Sequence, residues 1–170
     1  MRNLVAFGLL QIVLVAAVGC EGVENGDEDG ALMKPGEDCM RCHDGSGEAP
    51  RLGIAGTVFS CADAATGAGL GGVTVVLTNE SGDEIKHLTS NAAGNFYTSM
   101  ALPAGTRVRV EQNGAILEMG AAPSSGACNS CHTVPAQGYA PGRLYIGQEA
   151  CGATPILDAL QDVRTDSGVP

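Results

Sequence analysis

The sequence predicts a mainly β fold, a seven-stranded antiparallel sandwich, and three observations predict it. Between residues 54 and 146, short runs rich in Val, Ile, Leu and Thr alternate with turn signals at regular intervals, the pattern of short strands. The dipeptide Asn113-Gly114 sits between two alternating runs, the strongest short-range hairpin signal, because both central residues of the tight turn need positive φ. At 170 residues, with 44% hydrophobic but only 4% aromatic residues, no Trp and 25 Gly, the chain has room for one domain with a thin core of Val, Leu, Ile and Ala.

The first element is an export signal. Residues 1–19 carry one Arg and an apolar run over 4–18 that is short for a membrane span, and small residues precede Cys20. "AVGC" resembles a bacterial lipoprotein processing site, which implies that Cys20 becomes the lipid-modified first residue. Glu21 in place of Asp implies, within that resemblance, the outer membrane. Ordinary secretion with Cys20 unmodified is the alternative. Residues 20–36 then read as an acidic, Gly-rich tether, because "EGVENGDEDG" has no periodicity and nothing to bury.

The folded domain is expected over 37–152, with strands at 54–60, 73–78, 84–89, 95–99, 107–112, 115–119 and 143–146. Closing the Asn113-Gly114 turn pairs Gln112 with Ala115, Val110 with Leu117 and Val108 with Met119 on one face. Glu111 then pairs with Ile116 and Arg109 with Glu118 on the other, so an apolar ladder lies behind an opposite-charge pair. In the tail, 153–170, Thr154 as N-cap, Pro155 in the first turn and Ile156, Leu157, Leu160 and Val163 on one side predict a short helix that covers a sheet edge.

The stretch "AGTVFSCADAATGAGLGGVTVVLTNESGDEIKHLTSNAAGNFYTSM" resembles the carboxypeptidase regulatory-like, transthyretin-like β-sandwich modules of exported proteins. The resemblance covers residues 54–119 and implies a fold, not a catalytic activity.

The formal charge of −10 argues against a nucleic-acid backbone or an anionic lipid surface as partner. Export makes cysteine usage informative, since thiols outside the cytoplasm are oxidised or ligated. Setting Cys20 aside from the seven leaves Cys39 and Cys42, Cys128 and Cys131, and the unmatched Cys61 and Cys151. The paired ones stand in "CMRCH" and "CNSCH", ending in His43 and His132, and use two of the chain's three histidines.

Cys-x-x-Cys-His in an exported chain is the c-type haem attachment signal. Two thiols at this spacing reach the two vinyl groups of one porphyrin, and the adjacent imidazole reaches the iron. The sequence therefore predicts two covalently attached haems on Cys39, Cys42, Cys128 and Cys131, with His43 and His132 as proximal ligands. A four-Cys zinc ribbon would use the same pairs without needing the histidines. Plain disulfides would also use an even set of six, although a Cys-x-x-Cys disulfide belongs in a thioredoxin-like βαβ pattern that this sequence lacks.

The segments following the two motifs resemble one another: each runs through Ala-Pro to an apolar strand that ends near a lone Cys. This predicts equivalent edge strands at Ile54 and Leu144, joined at their far ends by a Cys61–Cys151 disulfide, with both haems on one side of the sandwich. For the distal positions the chain offers His87 and the thioethers of Met33, Met40, Met100 and Met119. His87, sharing a strand face with Ile85 and Thr89, and Met119 on the hairpin's apolar face are the candidates. Three histidines allow at most one bis-His haem.

The whole resembles a dihaem c-type cytochrome lipoprotein, which implies a non-enzymatic electron carrier whose partners are redox proteins, other cytochromes among them, and a membrane reached through the lipid anchor. A haem-based sensor or peroxidase-like protein with a five-coordinate iron is the second expectation. A β-sandwich adhesion module is the third, weakened by the scatter of Tyr97, Tyr139 and Tyr145.

Overall fold

A computed structural model describes residues 32–148 and 150–152. The export signal, Cys20 and the C-terminal helix expected from Thr154 lie outside the described residues. No helix among the described residues is long and apolar enough to cross a membrane.

The chain is mainly β, with seven strands: β1 Ile54–Cys61, β2 Thr74–Thr78, β3 Glu84–Thr89, β4 Asn95–Thr98, β5 Arg107–Gln112, β6 Ala115–Glu118 and β7 Leu144–Gln148. They form a three-stranded sheet in the order β4-β1-β7 and a four-stranded sheet in the order β3-β2-β5-β6. One apolar cluster draws on both sheets. Ile54 and Val58 come from β1, Phe96 from β4 and Ile146 from β7, and they pack with Val75 and Leu77 of β2 and Val108 and Val110 of β5. Each fully buried aliphatic side chain contributes roughly 1.5–3 kcal/mol, so a cluster this small makes cross-links between distant segments matter.

The β5–β6 hairpin has the expected register: Gln112 opposite Ala115, Glu111 opposite Ile116, Val110 opposite Leu117 and Arg109 opposite Glu118. Asn113 and Gly114 take φ of 51° and 81°. The Met119 amide donates to the Val108 carbonyl at 2.9 Å and continues the ladder. Val108 and Val110 are buried in the core, whereas Leu117 on edge strand β6 is 41% exposed. The apolar ladder is thus only half covered by the other sheet.

Two expectations about strand pairing are corrected. The architecture is not wholly antiparallel, because β1 and β7 run parallel, Val58 opposite Leu144 and Phe59 opposite Tyr145. β1 is also the central strand of its sheet, not an edge equivalent to β7. The reason lies in the chain path. The Ala55 amide donates to the Gly126 carbonyl at 2.9 Å, and Ala55 makes a parallel bridge with Ala127. The chain then leaves this edge of β1, carries the second Cys-x-x-Cys-His segment, and rejoins the same edge in the same direction as β7.

β1 is buried along both faces except at Ser60. One face meets the shared core, and the other lies under residues 33–36, a stretch expected to belong to the flexible tether. That stretch is instead fastened. The Asn95 amide donates to the Met33 carbonyl at 2.8 Å, the Gly36 amide donates to Thr57 Oγ1 at 2.9 Å and the Arg143 guanidinium donates to the Gly36 carbonyl at 2.9 Å. Residues 33–36 are therefore part of the folded unit.

Strand β3 differs from expectation at one residue. Thr78 pairs with Glu84 but Leu77 with Lys86, leaving Ile85 as an extra residue in a bulge. Ile85 packs against the core, while His87, opposite Val76, which is buried outside that cluster, sits on the other face. The two residues do not share a strand face.

Candidate functional site

Each of the two Cys-x-x-Cys-His segments forms a short helical turn. Cys39–Arg41 is a single 3-10 turn capped by the Asp38 side chain, which accepts from the Met40 amide at 3.0 Å. Cys128–Cys131 is a single α turn. In both, the histidine amide donates to the carbonyl of the first cysteine: His43 to Cys39 at 3.0 Å and His132 to Cys128 at 2.9 Å. This bond winds the first Cys, the second Cys and the His into one helical turn.

The imidazoles are held alike. His43 Nδ1 lies 2.8 Å from the Pro50 carbonyl and His132 Nδ1 lies 3.1 Å from the Gly142 carbonyl. A carbonyl only accepts, so Nδ1 carries a proton in both rings, and in the neutral form of the ring Nε2 keeps its lone pair. An imidazole oriented by a backbone acceptor, with the other nitrogen free, is the arrangement found at metal-ligating histidines. Burial pulls the His132 pKa below its ordinary value, outweighing the opposite effect of the Gly142 carbonyl, which favours the neutral ring a metal needs.

The second segment borders a cavity of about 530 Å³, within the ordinary range for cofactor pockets. Cys128, Cys131 and His132 line it together with Leu117 and Met119 from the uncovered part of the hairpin and Tyr139 from the following loop. Met119 is half-buried on the inner face, as its pairing with Val108 requires.

The other expected ligands are dispersed. His87 is exposed on β3, at the opposite edge of the four-stranded sheet from β6, and its Nδ1 pairs with Glu84 Oε1 at 2.8 Å. Met100 packs against the core, Met33 lies in the fastened stretch over β1, and Met40 is inside the first motif's own turn.

Cysteine states separate the alternatives. Cys39, Cys128 and Cys131 are free thiols, so neither motif closes on itself as a Cys-x-x-Cys disulfide. Cys42 is disulfide-bonded, and the same sulfur cannot simultaneously form a thioether. Burial raises the pKa of Cys39 and, with smaller contributions from Cys39 and Cys131, pushes that of Cys128 up to about 12.

Cys61 and Cys151 are disulfide-bonded, with Cα atoms 5.2 Å apart and 90 residues between them in sequence. With Asp63 they form the group of potential metal ligands found among the described residues. Two sulfurs bonded to each other offer no thiolate to a metal, and Asp63 accepts from the Cys151 amide at 2.6 Å. The two Cys-x-x-Cys pairs do not converge on one metal position among the described residues, which removes the geometry a four-Cys zinc site needs.

Three residues with no distinguishing sequence signal organise the site. Asn129, between the second pair of cysteines, is buried; its Nδ2 donates to the Glu37 carbonyl at 2.8 Å and to Thr57 Oγ1 at 3.1 Å, and its Oδ1 accepts from the Thr57 amide at 3.1 Å. Thr57 Oγ1 also donates to Asn95 Oδ1 at 2.8 Å. Arg143 is buried with its guanidinium 4.9 Å from the Phe59 ring centroid. Its hydrogen bonds go to neutral acceptors, the Gly36 and Ala64 carbonyls and the Thr66 hydroxyl.

No family model, curated protein or solved structure matches the chain.

Proposed function

We propose that this protein is an exported electron carrier with two covalently attached c-type haems, built on a small transthyretin-like sandwich and anchored through a lipid on Cys20 to the outer membrane. The observation that carries this reading is the paired treatment of His43 and His132. Each ends a helical turn begun by a cysteine, and each donates Nδ1–H to a backbone carbonyl, leaving Nε2 available. A disulfide or a structural zinc gives no reason to orient two imidazoles in this way twice.

Bound haem would supply a one-electron ferrous–ferric couple. With the Cys42 disulfide opened to a thiol, the chain's own contribution would be attachment through Cys39, Cys42, Cys128 and Cys131, proximal ligation by His43 and His132, and apolar covering by residues such as Leu117. Met119 supports a His/Met set at the second segment, since it borders the same cavity as His132. The two sheets around one core support the sandwich. Redox proteins, other cytochromes among them, are the proposed partners.

The test is chemical. The full chain is exported from a host that matures c-type cytochromes, then stained for haem on a denaturing gel and weighed intact. Colour that survives denaturation and a mass increase of two haems are expected, with no disulfide at Cys42. Colourless material weighing only its processed residues and lipid would overturn the reading. The shortage of histidines supports a second reading, an iron open to small ligands. A rapid spectral change when carbon monoxide meets the reduced protein would favour it over electron transfer.

A further inference from the structure

The hydrogen bonds of Asn129 join the two Cys-x-x-Cys-His segments to one another. Glu37, whose carbonyl accepts from Asn129, lies two residues before Cys39, a reach of at most about 7 Å along the chain. Asn129 directly follows Cys128. Both partners meet on one side chain of β1: Thr57 Oγ1 accepts from the Gly36 amide of the first lead-in and from Asn129 of the second motif. Thr57 and Asn129 are 0% and 4% exposed, so these bonds are shielded from competing water.

The packing is as close as the bonding. A Cβ placed on Gly56 would lie 2.8 Å from Cys128 Cβ, so only glycine at this position of β1 lets the second motif sit against the strand. The first motif's turn packs on β1 as well. The Cys39 thiol is near enough to Cys128 to contribute to its raised pKa. Arg143, just before β7, adds a second clamp through the Gly36 carbonyl.

We propose that Asn129 and Thr57 are positioning residues that lock the two attachment segments into one unit, so that the protein carries a fixed, mutually coupled haem pair and not two independent haems. This rests on the haem reading above. Thioether bonds fix each porphyrin edge at its cysteines, so two porphyrins starting from neighbouring cysteines have their relative orientation set by whatever sets the cysteines. Asn129 uses both amide hydrogens and its carbonyl for this purpose, and Thr57 uses its hydroxyl as donor once and acceptor twice. A residue kept only to fill space would have no need of that bonding capacity.

The experiment is circular dichroism in the Soret region on the intact holoprotein, whose two-haem mass has first been verified. Wild type is expected to give a two-signed couplet from excitonic coupling. Asn129→Leu, similar in volume but unable to bond, is expected to keep both haems by mass while losing at least half the couplet amplitude. Thr57→Ser, which retains the hydroxyl, is expected to keep the couplet, and Thr57→Val to lose it, which provides the contrast if Asn129→Leu does not fold. A two-haem wild type without a couplet overturns this proposal and leaves the haem reading intact. So does a couplet that survives in both Asn129→Leu and Thr57→Val. A chain that never acquires haem overturns the haem reading itself.

Discussion

Met119 and His132 line the same cavity, although one leaves the end of β6 and the other closes a helical turn thirteen residues later. The hairpin register places Met119 on the inner face beside buried Val108, and the loop returning to β7 turns the His132 ring with the Gly142 carbonyl. On the haem reading, this thioether and this imidazole would be the residues that hold one iron.

Met119→Leu is expected to change one haem and not the other. The swap conserves volume, so its cost to folding should stay below about 1.5 kcal/mol, while the thioether disappears. Loss of a sulfur-to-iron charge-transfer band and a lower potential for one of two haems is the expected result. His87→Ala is the counterpart. The side chain is exposed, paired with Glu84 and on the far edge of the sheet, so both haem spectra should be unchanged. A spectral response to His87→Ala with none to Met119→Leu would reverse the assignment.

The hairpin allows a direct test of backbone conformation. Gly114 has φ of 81° and open space where a Cβ would lie, so Gly114→Ala meets no clash and isolates the cost of positive φ. A loss of about 1 kcal/mol in denaturant unfolding is expected. A neutral result would mean that the turn does not hold the register.

This hairpin was legible in sequence because its turn chemistry and its alternation are local and agree with one another. The β1–β7 pairing was not, because it joins strands far apart in sequence through an excursion that first touches β1 at Ala55 and then leaves it. Nor could residues 33–36 be told from a tether, since backbone groups there bond to Thr57, Asn95 and Arg143 without any side-chain pattern. At the candidate site, the four cysteines and two histidines were legible from spacing alone. Asn129 was not, because the residues between the cysteines are unconstrained by the motif, and only the fold gives Asn129 its partners.

The Cys61–Cys151 link should dominate the stability of this thin core. Replacing both cysteines by Ser releases a closed loop with a sequence separation of 90. Chain entropy sets an upper estimate of roughly 4.5 kcal/mol, which corresponds to a fall in Tm on the order of 10 °C or more. The haem spectra at low temperature should be retained, because the disulfide lies at the opposite end of β1 from Gly56 and Cys128. An unchanged Tm would show that the ends of β1 and β7 are held by packing alone.

The unequal burial of Cys128 and Cys131 bears on their thiol chemistry. Burial pushes the Cys128 thiol up to about 12, so its thiolate fraction near neutral pH is well below that of an ordinary cysteine. Cys131, three residues on, is exposed. In the haem-free folded chain, an alkylating reagent at pH 8 should therefore modify Cys131 and spare Cys128, and the Cys128 rate should rise about tenfold per pH unit toward its raised pKa. Urea should abolish the difference by removing the burial that causes it. Equal labelling in the native chain would contradict the packing of Cys128 against Gly56. If the difference holds, thioether formation on the folded segment would have to start from a covered, protonated sulfur, so attachment is expected before this segment closes on β1.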